Sequence, residues 1–237
     1  MRIDKFLCEM NIGSRSEVKQ ILKAGLVKVN DHLVKQADFK VEPLVDLITF
    51  KGQKLEYIPF YYYMLNKPAG VVSATTDNTA ETVVALLGAD KREDLFPVGR
   101  LDKDTTGLLL LTNDGSLAHQ LLSPKKHVDK TYLVTTSKKL SSEDIARLEQ
   151  GVDIGEGQIT MPARVESMDD FHIYLTIQEG KFHQVKRMLQ AVNNKVCALQ
   201  RVSFGPLSLD ESLLPGEYRS LTDEELTKLR STVCTKC

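Results

Sequence analysis

Three groups of side chains in this sequence have the types and spacing that chemistry needs. Asp102 stands in Gly99-Arg100-Leu101-Asp102-Lys103-Asp104-Thr105-Thr106-Gly107, a polar loop between glycines that runs directly into Leu108-Leu109-Leu110-Leu111-Thr112. A carboxylate at the mouth of a rigid strand, with Arg100 and Lys103 close in sequence to favour its charged form, suits a nucleophile or a base. An aspartate in a Gly/Thr loop also forms turns by bonding its own backbone, so spacing alone leaves both roles open. Tyr132, in Lys130-Thr131-Tyr132-Leu133-Val134-Thr135, offers a ring for stacking and a hydroxyl for proton exchange, or simply a packing residue. The third group is Lys181-Phe182-His183-Gln184-Val185-Lys186-Arg187-Met188. At helical spacing Val185, Met188, Leu189 and Val192 share one face, and His183, Lys186, Arg187 and Gln190 share the other. Five Lys/Arg and no acid lie between Lys181 and Arg201, a surface suited to phosphate, to an ionised carboxylate, or to water alone.

These side chains need elements to hold them. Four leucines between turn residues are too short for a helix and read as a strand buried on both faces, anchoring the Asp102 loop. Tyr61–Leu65 is strand-like and runs into the breaker cluster Asn66-Lys67-Pro68-Ala69-Gly70. Asn78-x-x-Glu81 predicts a capped helix over Val83–Leu87, ending at Gly88, and Ser116–Leu122 reads as another helix. Lys130–Thr135, Phe171–Ile177 and Leu199–Phe204 read as strands, and Ser141–Gln150 as a helix stopped by Gly151. Thr222-x-x-Glu225 caps a last helix. Strands outnumber long helices without strand-helix alternation, which predicts an α+β domain with a mixed, mainly antiparallel sheet.

The first sixty residues form a different pattern. Ile3, Phe6, Leu7 and Met10 follow helical spacing, and Ser14-x-x-Glu17 is a capping box before Val18, Ile21 and Leu22. Val27–Val29 and His32–Val34 flank Asn30-Asp31 as a hairpin, so the unit reads helix, helix, hairpin. Later residues to about Tyr57 supply further strands, with Gly52 as a turn and Tyr57-Ile58-Pro59-Phe60 as linker. Residues 1–35 hold seven Lys/Arg against four Asp/Glu.

A chain of 237 residues with 42% hydrophobic content can bury a sizeable core. A net charge of −1 excludes a surface that coats nucleic acid throughout, so any RNA affinity is expected from local basic patches. No apolar stretch reaches membrane-spanning length, and the charged opening Met1–Lys5 has no apolar run behind it, so a cytoplasmic protein without membrane contact is expected. Cys8, Cys197, Cys234 and Cys237 are too scattered for a disulfide framework. Cys234-x-x-Cys237 lacks a second ligand pair, and His119 and His183 have no partner at metal spacing. No Gly-rich phosphate loop occurs either.

Gly-Arg-Leu-Asp followed by Thr-Thr-Gly-Leu-Leu-Leu-Leu-Thr-Asn-Asp-Gly resembles the signature loop of the RsuA-type ribosomal RNA pseudouridine synthases. Asn66–Gly70, Lys-Thr-Tyr-Leu-Val, Glu-Gly-x-x-His-Gln-Val-Lys-Arg-Met and Leu214–Leu221 are similar to further motifs of that family, so the likeness runs from Met1 to about Arg230. Ser14–Lys19 with Gly25–Asn30 resembles the RNA-binding module named after ribosomal protein S-four. The resemblance implies isomerisation of a uridine to pseudouridine, a reaction expected to need neither metal nor cofactor, with Asp102 catalytic, Tyr132 facing the base, and a basic side chain paired with Asp102. By position that side chain is Lys186, with Arg187 the neighbouring candidate. Arg100, Lys181, His183, Gln184 and Arg187 are then expected to bind substrate, and Arg15, Lys19, Lys23 and Lys28 to contact RNA phosphates. The expected domains are 1–58 for the RNA-binding module, 61–231 for catalysis and 232–237 as a tail. The loops are nearest the branch acting on 16S rRNA, and the implied partner is ribosomal RNA in a partly assembled small subunit, met by a monomer. Sister enzymes acting on 23S rRNA share these loops. A non-catalytic assembly factor, or a hydrolase using Asp102 and Asp104 as a carboxylate pair, are the readings from other classes.

Overall fold

The computed structural model describes residues 1–234, which fall in two compact units, Met1–Pro59 and the chain from Phe60 onward. The first unit holds α1 (Ile3–Glu9), α2 (Arg15–Lys23) and four short antiparallel strands, β1 (Val27–Val29), β2 (His32–Leu33), β3 (Ile48–Phe50) and β4 (Gln53–Lys54), ordered β2-β1-β3-β4. Ser14 and Glu17 form the capping box at the start of α2. Asn30 and Asp31, and then Lys51 and Gly52, take positive φ, the geometry of the tight turns that suit twisted hairpins. Ile3, Phe6, Leu7, Val18, Leu22, Val27 and Ile48 fill the core, which leaves Arg15, Lys19, Lys23 and Lys28 in solvent.

The second unit is built on one large sheet. Its strands are β5 (Tyr62–Lys67), β6 (Phe96–Pro97), β7 (Thr106–Thr112), β8 (Lys130–Thr136), β9 (Arg164–Ser167), β10 (His172–Ile177), β11 (Val196–Phe204), β12 (Leu207–Ser208) and β13 (Tyr218–Ser220). The order is β13-β5-β7-β11-β8-β10-β9, with β6 beside β7 and β12 beside β11. Only β7 and β11 run parallel, so the sheet is mixed and mainly antiparallel. The helices are α3 (Gly115–Leu122), α4 (Ser142–Gln150), α5 (Gln184–Ala191) and α6 (Asp223–Cys234).

The four leucines of β7 divide by the two-residue period of a strand. Leu109 and Leu111 join Tyr63 and Leu65 of β5 in one core, where α5 packs through Val185, Met188 and Leu189. Leu108 and Leu110 join Tyr62 and Met64 in a second core, with α3 and α6. At the parallel seam Gly107 pairs with Arg201, and a side chain at Gly107 would overlap the Arg201 carbonyl and sit 2.8 Å from its nitrogen. Glycine is required there, at φ +97°. The far edge is tied by Arg219 on β13, whose guanidinium reaches Asp210 (2.6 Å) and both oxygens of Glu225 in α6 (2.8 Å each).

Two expectations are corrected. The segment after Asn78 does not form a capped helix over Val83–Leu87. It makes 3-10 turns at Ala85–Asp90, broken at Gly88 with φ +51°. Backbone pairing of Val72 with Glu81 and Val83 holds the start of this segment extended, and Asp77, not Asn78, accepts the local backbone bonds, from Thr79 and Ala80. The boundary read at 231 falls inside α6, which continues through Cys234; Cys237 lies outside the described residues.

Candidate active site

The loop carrying Asp102 is braced from below before any partner reaches its carboxylate. Lys67, at the end of β5, is fully buried, and its ammonium donates to the carbonyls of Pro68 (3.0 Å), Lys103 (3.4 Å) and Thr105 (2.8 Å). Burial pulls that ammonium down to about 8, with Asp104 and Asp102 pulling the other way. The Ser73 hydroxyl donates to the Leu101 carbonyl and accepts from its N–H, at 2.9 and 3.0 Å, and the N–H of Gly70 donates to Lys103. Asp102 itself accepts, at its backbone carbonyl, the N–H of Thr105, closing a turn that leaves the side chain free to point outward.

The carboxylate of Asp102 lies beside the first turn of α5. Lys186 Nζ sits 3.0 Å from Asp102 Oδ2, and His183 Nε2 sits 3.6 Å from Oδ1. Lys186 also donates to Asp104 Oδ1 at 2.6 Å. Burial opposes the charge on Lys186, but the bonds to Asp104 and then Asp102 outweigh it and raise its pKa above the ordinary lysine value. The same bond from Lys186 holds the Asp104 carboxyl below the usual carboxylate range against its partial burial. One ammonium thus lies between the two carboxylates, so they do not face each other across an open gap as a hydrolytic pair must. Among the described residues, neither Arg100 nor Lys103 forms an ion pair with Asp102.

Tyr132 is one of the buried residues that alternate along β8, and it lines the same cleft as Arg100, Asp102, Lys181, His183, Gln184 and Lys186. Not all of these side chains are available to a ligand. Lys181 is fastened to the Ile159 carbonyl (2.6 Å) and Glu179 (3.1 Å). Gln184 is buried, accepting from the Lys181 N–H and donating to Glu179, so its amide organises the turn before α5. Arg187 forms no ion pair with Asp102 among the described residues and donates to the Phe182 carbonyl at 3.3 Å. His183 takes a left-handed conformation (φ +49°) and stacks on Phe182, with ring centroids 3.8 Å apart.

A larger cavity, about 610 Å³, opens on the other face of the sheet among Thr131, Thr176 and Gln200, the neighbours of Tyr132, Ile177 and Leu199. Asp102, Tyr132 and Lys186 are not among its walls. Reasoning from sequence missed Lys67, Ser73 and Phe182. Lys67 left a signal, a cation in an apolar strand just before a breaker, and so did Phe182, an apolar ring on a cationic surface. Among the described residues no cluster of three or more His, Cys, Asp or Glu is placed to hold a metal ion, and no helix is long and apolar enough to cross a membrane.

Residues 61–191 match the family model for RNA pseudouridylate synthase, and residues 1–43 match that of the S4 domain. A Bacillus subtilis (strain 168) protein named "Uncharacterized RNA pseudouridine synthase YtzG" is 52% identical over 95% of this chain and 97% of its own length. The "Ribosomal small subunit pseudouridine synthase A" of Vibrio cholerae serotype O1 is 41% identical, covering 97% of this chain and 99% of its own. A solved structure titled "Crystal structure of pseudouridylate synthase" superposes with a TM-score of 0.69 at 41% identity, over 97% of this chain and 99% of that one.

Proposed function

The chain belongs to the RNA pseudouridylate synthase family and is an isomerase, and from that premise we propose that it converts a uridine of small-subunit ribosomal RNA to pseudouridine through Asp102. The bond from uracil N1 to ribose C1′ breaks and one from C5 to C1′ forms. The proton lost from C5 is balanced by one gained at N1, so nothing is oxidised and no water is consumed. Asp102 engages C1′, either by attack or by assisting departure of the base. Tyr132 stacks on the uracil and its hydroxyl serves the C5 proton. Lys186 pairs with Asp102 and orients it. The uridine must leave its stack to enter the cleft.

One observation carries this reading: the Asp102 carboxylate, paired with Lys186 at 3.0 Å, opens on the same cleft as Tyr132. The small-subunit target is supported by the relatives named for it. In this reading the substrate is the RNA of a partly assembled small subunit, met by a single copy of the chain in the cytoplasm. Arg15, Lys19, Lys23 and Lys28 contact its phosphates.

The test is tritium release from 5-tritiated uridine in 16S rRNA, naked and in partly assembled subunits, with wild type beside Asp102→Asn. Wild type should release one tritium per RNA, and the variant should bind equally but release at least 1,000-fold more slowly. Turnover by Asp102→Asn at near wild-type rate would remove Asp102 from the mechanism. Release only from 23S rRNA would move the substrate, and free uracil in the medium would mean hydrolysis.

A further inference from the structure

Phe182 is 72% exposed, more than any other phenylalanine among the described residues. A lone apolar ring in water is ordinary by itself. This ring differs in three ways. Its inner face is covered by the His183 imidazole at 3.8 Å and 19°, so the exposure falls on its outer face and edges. His183 in turn lies 3.6 Å from Asp102 and lines the cleft, so the two rings form a short stack leading outward from the candidate catalytic carboxylate. The backbone beneath is bonded into the fold: Arg187 donates to the Phe182 carbonyl at 3.3 Å, and His183 takes φ +49° at the start of α5.

A flat π-face, open to solvent and backed by a second ring, is what stacking on a nucleic-acid base requires. A uridine turned into the cleft also leaves its neighbour without a stacking partner. We propose that the outer face of Phe182 is a platform for the base adjacent to the uridine that enters the cleft. This rests on the isomerase reading above. Every base has a π-face, so the platform contributes affinity and alignment without choosing the neighbour's identity.

The experiment compares wild type with Phe182→Ala, Phe182→Leu and Phe182→Tyr on two readouts. The first is tritium release from 16S rRNA as a function of RNA concentration. Phe182→Tyr should match wild type, whereas Phe182→Ala and Phe182→Leu should raise KM about 10-fold or more, the scale of one base–aromatic stack. The second is fluorescence of 2-aminopurine placed next to the reacting uridine in bound RNA. It should be quenched by wild type and Phe182→Tyr and stay bright with the Ala and Leu variants at saturating protein. Wild-type KM and quenching in Phe182→Leu would overturn the platform, because leucine keeps the apolar contact and lacks the ring. The two readouts fail separately. Absence of tritium release from 16S rRNA by wild type would overturn the small-subunit substrate, while the quenching, scanned along any RNA the protein does modify, still decides the platform.

Discussion

At the scale of single residues, the loop beneath Asp102 shows how a buried cation organises backbone. Lys67 gathers three carbonyls, two of them from the segment Lys103–Thr105 that follows the catalytic candidate. In Lys67→Met the stem still fills the space, but those carbonyls lose their donor inside the protein. An unsatisfied buried acceptor costs about 1–3 kcal/mol, so unfolding in urea should show a loss of roughly 2–4 kcal/mol. The folded fraction should also turn over about 10-fold more slowly at unchanged KM, since a loosened Asp102 lowers the rate of the bound complex. Wild-type kcat in the folded variant would mean that the brace holds the fold and not the site. That Lys186 lies beside Asp102 was expected from the resemblance of their two motifs, since local pattern left both residues open. Lys67 was read only as part of a breaker cluster, because two of its three partners lie 36 and 38 residues further along the chain.

At the scale of elements, caps and alternation were readable and competition between local and distant bonds was not. Ser14, Ser141 and Thr222 start helices where their patterns placed them. Asn78 did not, because Val72 draws the following residues into extended pairing that local spacing cannot reveal. The tie between β13 and α6 is an element-scale contact with a pH signature. The two hydrogen bonds from Arg219 hold the Glu225 carboxyl down at about 2, against burial that opposes them. Its unfolded value is about 4.3. With the folded value depressed, the stabilisation is complete above about 4.3 and is lost as pH falls from there through about 2. Glu225→Gln should therefore be about 1.5–3 kcal/mol less stable than wild type at pH 7, with the gap shrinking across that window. Parallel acid-unfolding curves for the two proteins would show that the tie carries no net charge-dependent stability.

At the scale of the whole molecule, the chain is nearly neutral yet collects cations on the exposed surface of α2 and β1. If Lys19 and Lys23 meet phosphates, replacing both by Gln should flatten the salt dependence of RNA binding by about 0.7–0.9 per lost contact in the log–log slope. KM should rise with kcat unchanged, because those contacts position the RNA without touching the reacting bond. An unaltered slope would assign the phosphates to other residues. The order of strands carries a consequence for how the protein is made. β5 opens the larger unit, yet its outer edge is paired by β13, and the strand beside the Asp102 loop is closed by β11. Asp102 and Tyr132 therefore leave the ribosome long before the walls that shape their cleft. A nascent chain that stops before β11 lacks both the parallel partner of β7 and the Leu199 wall of the cleft, so the site is assembled only after residues roughly a hundred positions downstream of Asp102 have emerged.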